Sequence, residues 1–279
     1  MLNFITWDVS PDIFSIGPVT VRWYGLLFAM AFVLTQPLEK YIYRKDGRTD
    51  EDVDILTMYM IVGTVIGARL GHCLFYNPDY YLSNPLEIFK IWEGGLASHG
   101  GTIGILTALY MFCRKYKFNY LWVLDRIVIV VAVGGACIRT GNLMNSEIIG
   151  KPSGAPWAFK FMRNAETFNG VPAYVDPRHP SQLYEALFCV VLFLLLFFLW
   201  KKGAGMVRGL LFGLFVTLLF SFRFLVEFTK ENQEKFEDAL PLNMGQWLSI
   251  PLVLVGIAVL FYAYQNRRQP SLPMTTSYK

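Results

Sequence analysis

Seven predominantly apolar stretches, parted by short polar breaks, set the plan of this chain. They predict helices at roughly 23–38, 55–75, 95–112, 121–138, 183–200, 206–226 and 244–264. Several approach the roughly 20 residues needed to cross the hydrocarbon core of a bilayer. Arg114, Lys115 and Lys117 part the third from the fourth, and Lys201, Lys202, Gly203 and Gly205 part the fifth from the sixth. Ahead of the first stretch, Asn3 to Val21 is interrupted by Pro11, Gly17 and Pro18. It reads as an irregular or surface-lying lead-in.

Composition turns these stretches from buried helices into membrane spans. Hydrophobic residues make up 54% of the 279, charged residues 16%, and the mean hydropathy is +0.39. A soluble domain carries about 25% charged residues, so this chain has too little polar surface for water. The chain is read as an all-α integral membrane protein. No Lys or Arg occurs before Arg22, so the basic start of a removable signal peptide is missing. The four cysteines, Cys73, Cys113, Cys137 and Cys189, fall in or at the ends of apolar stretches, and none has CxxC spacing. They are expected to pack as small hydrophobes, which argues against a covalent cysteine enzyme.

The placement of Lys and Arg in short connections orients such a bundle. Lys40, Arg44, Lys45 and Arg48 follow the first span, and the connections after the third and fifth are basic. The tail carries Arg267, Arg268 and Lys279, whereas Glu231, Glu234, Glu237 and Asp238 follow the sixth span. With seven spans every basic connection falls on one side. The N-terminus is then outside and the C-terminus cytoplasmic. Residues 1–22 form an external or interfacial segment, 23–139 hold spans one to four, and 140–182 form a small external head. Residues 183–264 hold spans five to seven, and 265–279 a disordered cytoplasmic tail.

On that plan Tyr24, Arg69, His72, His99, Arg139, Arg223 and Glu227 all fall toward the outer side. An ionisable side chain within a span costs at least about 2.5–3.5 kcal/mol on insertion scales, so such residues are normally paired and functional. The densest patch runs from Arg139 through Asn142, Asn145 and Glu147 to Gly150. Arg139, Asn142 and Asn145 recur every three residues and share one face if the helix continues. Arginine offers phosphate two parallel donors, the amides add neutral donors, and Glu147 could orient an arginine. An interfacial helix end with a snorkelling arginine fits these residues as well. A second patch, Gly94-Gly95-Leu-Ala-Ser98-His99-Gly100-Gly101, places a group that titrates near neutral pH among glycines. It is either a substrate site or a close helix crossing. Arg223 and Glu227 share a helix face, as a phosphate site or as a self-neutralising pair. His179 to Glu185 reads as ordinary helix-start chemistry or a pocket wall, and Arg69 with His72 as packing more than chemistry. In the head, Arg163, Glu166, Tyr174 and Arg178 could guide a peptide.

At these residues the chain closely resembles the prolipoprotein diacylglyceryl transferase family. The signature G-R-x-G-N-F-x-N-x-E-x-x-G reads here Ile138-Arg139-Thr-Gly141-Asn142-Leu143-Met-Asn145-Ser-Glu147-Ile-Ile-Gly150. Trp23-Tyr24-Gly25, Gly67-Ala-Arg69-Leu-Gly71, Ser98-His99-Gly100-Gly101, His179 to Glu185, Arg223 to Phe228 and Met244-Gly-Gln246 follow in family order. Ile138 stands where the signature has Gly, and Leu143 where it has an aromatic.

The resemblance implies that phosphatidylglycerol enters from the outer leaflet of the bacterial inner membrane. The lipobox cysteine thiol of a prolipoprotein then attacks the glycerol carbon bonded to phosphate. A thioether forms and glycerol phosphate leaves, with no metal, nucleotide or other cofactor and no nucleic acid. A free thiol has a pKa near 8.5, so a base or a positive field should help, and prepositioned arginines stabilise the leaving phosphate. The expected catalytic residues are His99, Arg139 and Arg223. Tyr24, Gly100, Gly101, Asn142, Asn145, Glu147, Gly150 and Glu227 are expected to bind substrate, with Glu147 and Glu227 orienting the arginines. The rival is a transporter or channel for an anionic solute, since intramembrane charges also mark ion pathways. No pair of repeated halves supports it. A metal-dependent head-group transferase would need an Asp-rich cluster, and none lies within the spans.

Overall fold

The computed structural model describes residues 4–17, 19–91, 94–95, 97–164, 167–168, 171–172, 175–231 and 240–267. Helix dominates them. In chain order these are α1 (Trp23–Lys45), α2 (Asp50–Phe75), the short α3 (Pro78–Ser83), α4 (Ser98–Tyr116), α5 (Tyr120–Met144), α6 (Ser181–Lys201), α7 (Leu210–Val226) and α8 (Met244–Asn266). Among the described residues, five segments are long and apolar enough to cross a membrane: α2, α5, α6, Leu210–Thr229 and α8. Helices α1 and α4 are long but more polar, α1 through Gln36, Glu39 and Lys40 and α4 through its Ser98-His99-Gly100-Gly101-Thr102 opening. Glu166 and Tyr174 of the expected head lie outside the described residues. So do Glu234, Glu237 and Asp238 after α7, and the expected tail beyond Arg267.

The described residues are mostly helical, as an all-α membrane protein requires, and a few short strands accompany the helices of the first unit. Residues before α1 are not irregular. β2 (Asp12–Ile16) and β3 (Val19–Arg22) form an antiparallel hairpin, and β1 (Ile5–Trp7) pairs in parallel with β4 (Phe159–Phe161). Thr20 and Val21 bring β-branched residues suited to a strand, and Gly17 supplies the positive φ of 57° at the turn. Two-residue strands β5 (Thr167–Phe168) and β6 (Val171–Pro172) form a second small hairpin.

The chain divides into two compact units. Among the described residues, one joins residues 4–37 with those from Asp125 to Arg267, and the other is Leu38–Leu124. In the second unit α2 opens on a capping box, Thr49 Oγ1 accepting from Asp52 N at 3.2 Å while Asp52 accepts from Thr49 N at 3.1 Å. The basic connection before it is pinned by Lys40 to Asp54 at 2.6 Å, by Arg44 to Asp50, and by Arg48 over the Phe118 ring at 4.6 Å. Helices α2 and α4 then cross backbone to backbone. A Cβ on Gly67 would lie 2.4 Å from Gly100 O, and one on Gly104 would lie 2.1 Å from Gly63 O. Glycines at four-residue spacing on both helices permit this approach.

In the first unit α7 and α8 pack over small residues, Gly213 against Leu260 and Gly256 against Thr217. Phe188 of α6 stacks on Phe222 of α7 with ring centroids 4.0 Å apart. Buried Asp125 of α5 caps α7 from a distance, accepting from Gly209 N at 2.7 Å and Phe212 N at 2.9 Å. These amides begin a helix and have no partner within it. Adjacent Arg126 donates to Gly205 O at 3.0 Å. Beyond α5, Leu143, Phe159 and Phe161 form a small core with Trp7, Ile149 and Leu183 against it. Trp7 Nε1 donates to Leu143 O at 3.1 Å.

Candidate functional site

Helix α5 ends at Met144, so Asn145 sits just past the helix and not on its continued face. Ser146 and Ile148 then take positive φ, 54° and 56°. For a β-branched residue this is an outlier, and such backbone clusters at functional sites. The reversal turns the Glu147 side chain back on the signature. Its two oxygens accept from Asn142 Nδ2 at 3.1 Å and Asn145 Nδ2 at 2.8 Å. Gln182 donates to the Glu147 carbonyl. Gly150 seals the turn against α6. Its N–H donates to His179 O at 3.0 Å, and a Cβ there would lie 2.5 Å from that oxygen. Gly150 also bridges to Lys230, while Lys151 N donates to Thr229 O at 2.8 Å. The end of the signature thus ties the start of α6 to the residues after α7.

That tie gathers a chain of alternating charges. Arg139 Nε lies 3.3 Å from Glu185 Oε2, and Glu185 Oε1 accepts from Lys230 Nζ at 3.2 Å. Lys230 Nζ donates to Glu227 Oε1 at 2.8 Å, and that oxygen lies 3.7 Å from Arg223 Nε. Lys230 is 2% exposed, Glu185 5% and Glu227 6%. The other Glu227 oxygen accepts from Asn243 Nδ2 at 3.2 Å. Asn243 itself caps α8 through a capping box with Gln246. Gly245 leaves room for the carboxylate, since a Cβ there would fall 2.4 Å from Glu227 Cδ. Charges taken out of water cost several kcal/mol each unless paired and hydrogen-bonded, and here each buried carboxylate meets two cations.

Two arginines of the first unit therefore belong to one network, with Asn142, Asn145, Glu147, Gly150 and Glu227 beside them. Arg139 Nη1 donates to Asn142 Oδ1 at 3.4 Å. Half-buried Tyr24 packs on α5, where a Cβ on Gly141 would lie 2.9 Å from its ring. The pairing of Glu147 with an arginine needs correction. The carboxylate against Arg139 is Glu185, and Glu147 reaches it only through Asn142. The signature turn aims Glu147 at its own amides instead. Arg223 and Glu227 pair as their i,i+4 spacing predicts. Glu185 and Lys230 were the residues that sequence reading passed over. Glu185 stood in a helix-start motif, and Lys230 three residues after Glu227 was the available signal.

His99 and the neighbouring glycines belong to the second unit. His99 is exposed in the first turn of α4. Gly100 is a crossing residue, a Cβ there falling 2.3 Å from Gly67 O, whereas one on Gly101 would make ordinary contact with Ala68 at 3.6 Å. The close crossing thus accounts for Gly100 without a substrate. In the same unit Arg69, 4% exposed, is committed to backbone. It donates to Ile88 O at 2.8 Å, Gly94 O at 2.7 Å, Gly95 O at 3.3 Å and Glu87 O at 2.6 Å. His72 stacks on Tyr76 with centroids 5.6 Å apart. Both fit the packing reading.

The family model of prolipoprotein diacylglyceryl transferase matches residues 11–262. The chain belongs to that family. Among its relatives, the phosphatidylglycerol–prolipoprotein diacylglyceryl transferase of Chloroherpeton thalassium is 49% identical over 98% of each chain. The proteins of the same name from Tolumonas auensis and Porphyromonas gingivalis are each 45% identical over 94% of this chain, covering 98% and 96% of their own. The match to the diacylglyceryl transferases spans the signature turn, both site arginines and Lys230 alike.

Proposed function

We propose that this chain transfers the diacylglyceryl group of phosphatidylglycerol to the lipobox cysteine thiol of prolipoproteins. The observation that carries the reading is the buried charge chain holding Arg139 and Arg223. Each arginine faces its carboxylate through Nε; Arg139 gives one further donor to Asn142, and the remaining Nη donors are offered to a phosphate. Sulfur attacks the glycerol carbon, the carbon–oxygen bond to phosphate breaks, and a thioether and glycerol 1-phosphate result. The thiol proton passes to a base, for which His99 is the candidate. The arginines take up the charge that gathers on the departing phosphate, in a site poor in water. Asn142, Asn145 and Tyr24 shape the head-group pocket, and Glu147 fixes the two amides. Gly150 and Glu227 hold the site together.

The protein sits in this reading as a multi-pass protein of the bacterial inner membrane with seven spans. In this reading the N-terminus and the site face outward and the C-terminus lies in the cytoplasm, which the basic short connections support. Residues 140–182 form the external head that receives the precursor peptide.

Purified protein in detergent, labelled phosphatidylglycerol and a lipobox peptide test the reaction. The expected result is label on the cysteine peptide, none on its serine version, and loss of transfer in Arg139→Ala. No transfer by folded wild-type protein would overturn the reading and leave flux of an anionic solute into liposomes as the next assay. His99→Gln retaining near-normal turnover would remove the base assignment alone.

A further inference from the structure

Lys230 has no assigned part in the reaction, yet it is among the most deeply buried side chains of the described residues. It touches neither arginine in the contacts described. Instead it binds the carboxylate that each arginine faces, at 3.2 Å for Glu185 and 2.8 Å for Glu227. Both distances are shorter than those from the same carboxylates to the arginines, 3.3 Å to Arg139 and 3.7 Å to Arg223. Arg223 Nε and Glu185 Oε2 make no hydrogen bond at all in the described structure. The lysine therefore takes the stronger hold on Glu227, and on Glu185 it shares the carboxylate with Arg139 at nearly the same distance.

The charge balance has a direct consequence. Arg139, Arg223, Glu185 and Glu227 alone sum to zero, and a neutral cluster has little attraction for an anion. Lys230 raises the sum to +1. Glu147 is exposed at the rim and engaged by two amides, so water screens it more than the buried carboxylates. We infer that Lys230 is a positioning residue that keeps Glu185 and Glu227 from neutralising the two arginines. It thereby gives the head-group site its surplus positive charge and its preference for an anionic over a zwitterionic head group. The inference rests on the phosphate-site reading of Arg139 and Arg223.

The test measures inhibition of transfer by glycerol 1-phosphate, with kcat and thermal midpoint, on purified full-length protein. Lys230→Gln removes the charge but keeps a donor for the carboxylates, Lys230→Met removes both, and Lys230→Arg keeps the charge. Losing one charge-assisted contribution should weaken glycerol 1-phosphate inhibition at least about tenfold in Lys230→Gln and Lys230→Met. Their kcat should fall with it. Lys230→Arg should hold inhibition within about threefold of wild type, since charge and not shape is required. A lower thermal midpoint with inhibition and kcat of the folded protein unchanged would make Lys230 a structural residue and overturn the inference. Lys230→Gln supplies the readout if Lys230→Met does not fold. An Arg139→Ala arm separates the two layers. Unaltered inhibition there sinks the phosphate site itself, whereas altered inhibition there with normal Lys230→Gln sinks only the role of the lysine.

Discussion

Arg69 and Arg139 are both arginines within apolar helices, and the two units use them in opposite ways. Arg69 has spent its donors on four backbone carbonyls. Around it Gly94 and Gly95, at φ of 89° and 70°, hold those carbonyls in place. Arg139 touches one carboxylate and one amide, at 3.3 and 3.4 Å. A guanidinium with four of its five donors on main-chain carbonyls fixes a loop and has little to offer a ligand. One held loosely by acidic side chains is restrained in direction and keeps donors for a phosphate. Under the proposed function, the count of committed donors is what tells the two arginines apart, where residue type cannot.

The largest effect that could break this comparison is on activity. Arg139→Ala should cost up to about a thousandfold in kcat/KM, the range seen when one preorganised charge-stabilising donor is removed. Its thermal midpoint in detergent should stay near wild type. A thousandfold loss accompanied by unfolding would put Arg139 in the same class as Arg69. Arg69→Ala should do the reverse, because it removes the buried guanidinium that ties four loop carbonyls together. It should destabilise the protein by about 3 kcal/mol, read as denaturant midpoint, with residual kcat of the folded fraction close to normal. Arg69→Lys should recover little of that stability, since a point charge cannot replace a planar fork.

The glycine seam of the second unit supplies a smaller effect. Gly104→Ala places a methyl 2.1 Å from Gly63 O, and forcing α2 and α4 apart should cost about 2 kcal/mol. The first unit has a milder counterpart in Leu143→Phe. Leu143 is 5% exposed in the small core with Phe159 and Phe161. The larger ring should cost about 1 kcal/mol of overpacking and leave transfer unchanged. Loss of transfer in Leu143→Phe would mean that this core steers the signature turn more tightly than its contacts imply.

The sequence made some of this plain and hid the rest for physical reasons. Apolar stretches gave the helices, because burial in a bilayer leaves a long unbroken pattern. Arg223 with Glu227 was legible because the partners lie a turn apart along the chain, whereas Glu147 was expected on an arginine and turns to Asn142 and Asn145 instead. Glu185 with Lys230 was not, since 45 residues separate them and only the packing of α6 on α7, with the closure of Gly150 on His179, brings them together. The hairpin before α1 was masked by its breakers. Gly17 read as an interruption and is instead the turn. Arg69 was read as packing and Arg139 as chemistry, but what holds Arg69 stayed hidden, because carbonyl partners carry no sequence signal.

The capping of α7 by Asp125 bears on how the protein is made. The first amides of α7 are satisfied by a carboxylate that precedes them by more than eighty residues, at 2.7 and 2.9 Å. Domains and helices assemble during synthesis from the N-terminal side, so α5 is already in the bilayer when α7 leaves the ribosome. The cap waits for the helix. A nascent α7 arriving beside a resident Asp125 finds its donors accepted on arrival, and a rearranged gene that delivered α7 first would send it into lipid with those amides bare.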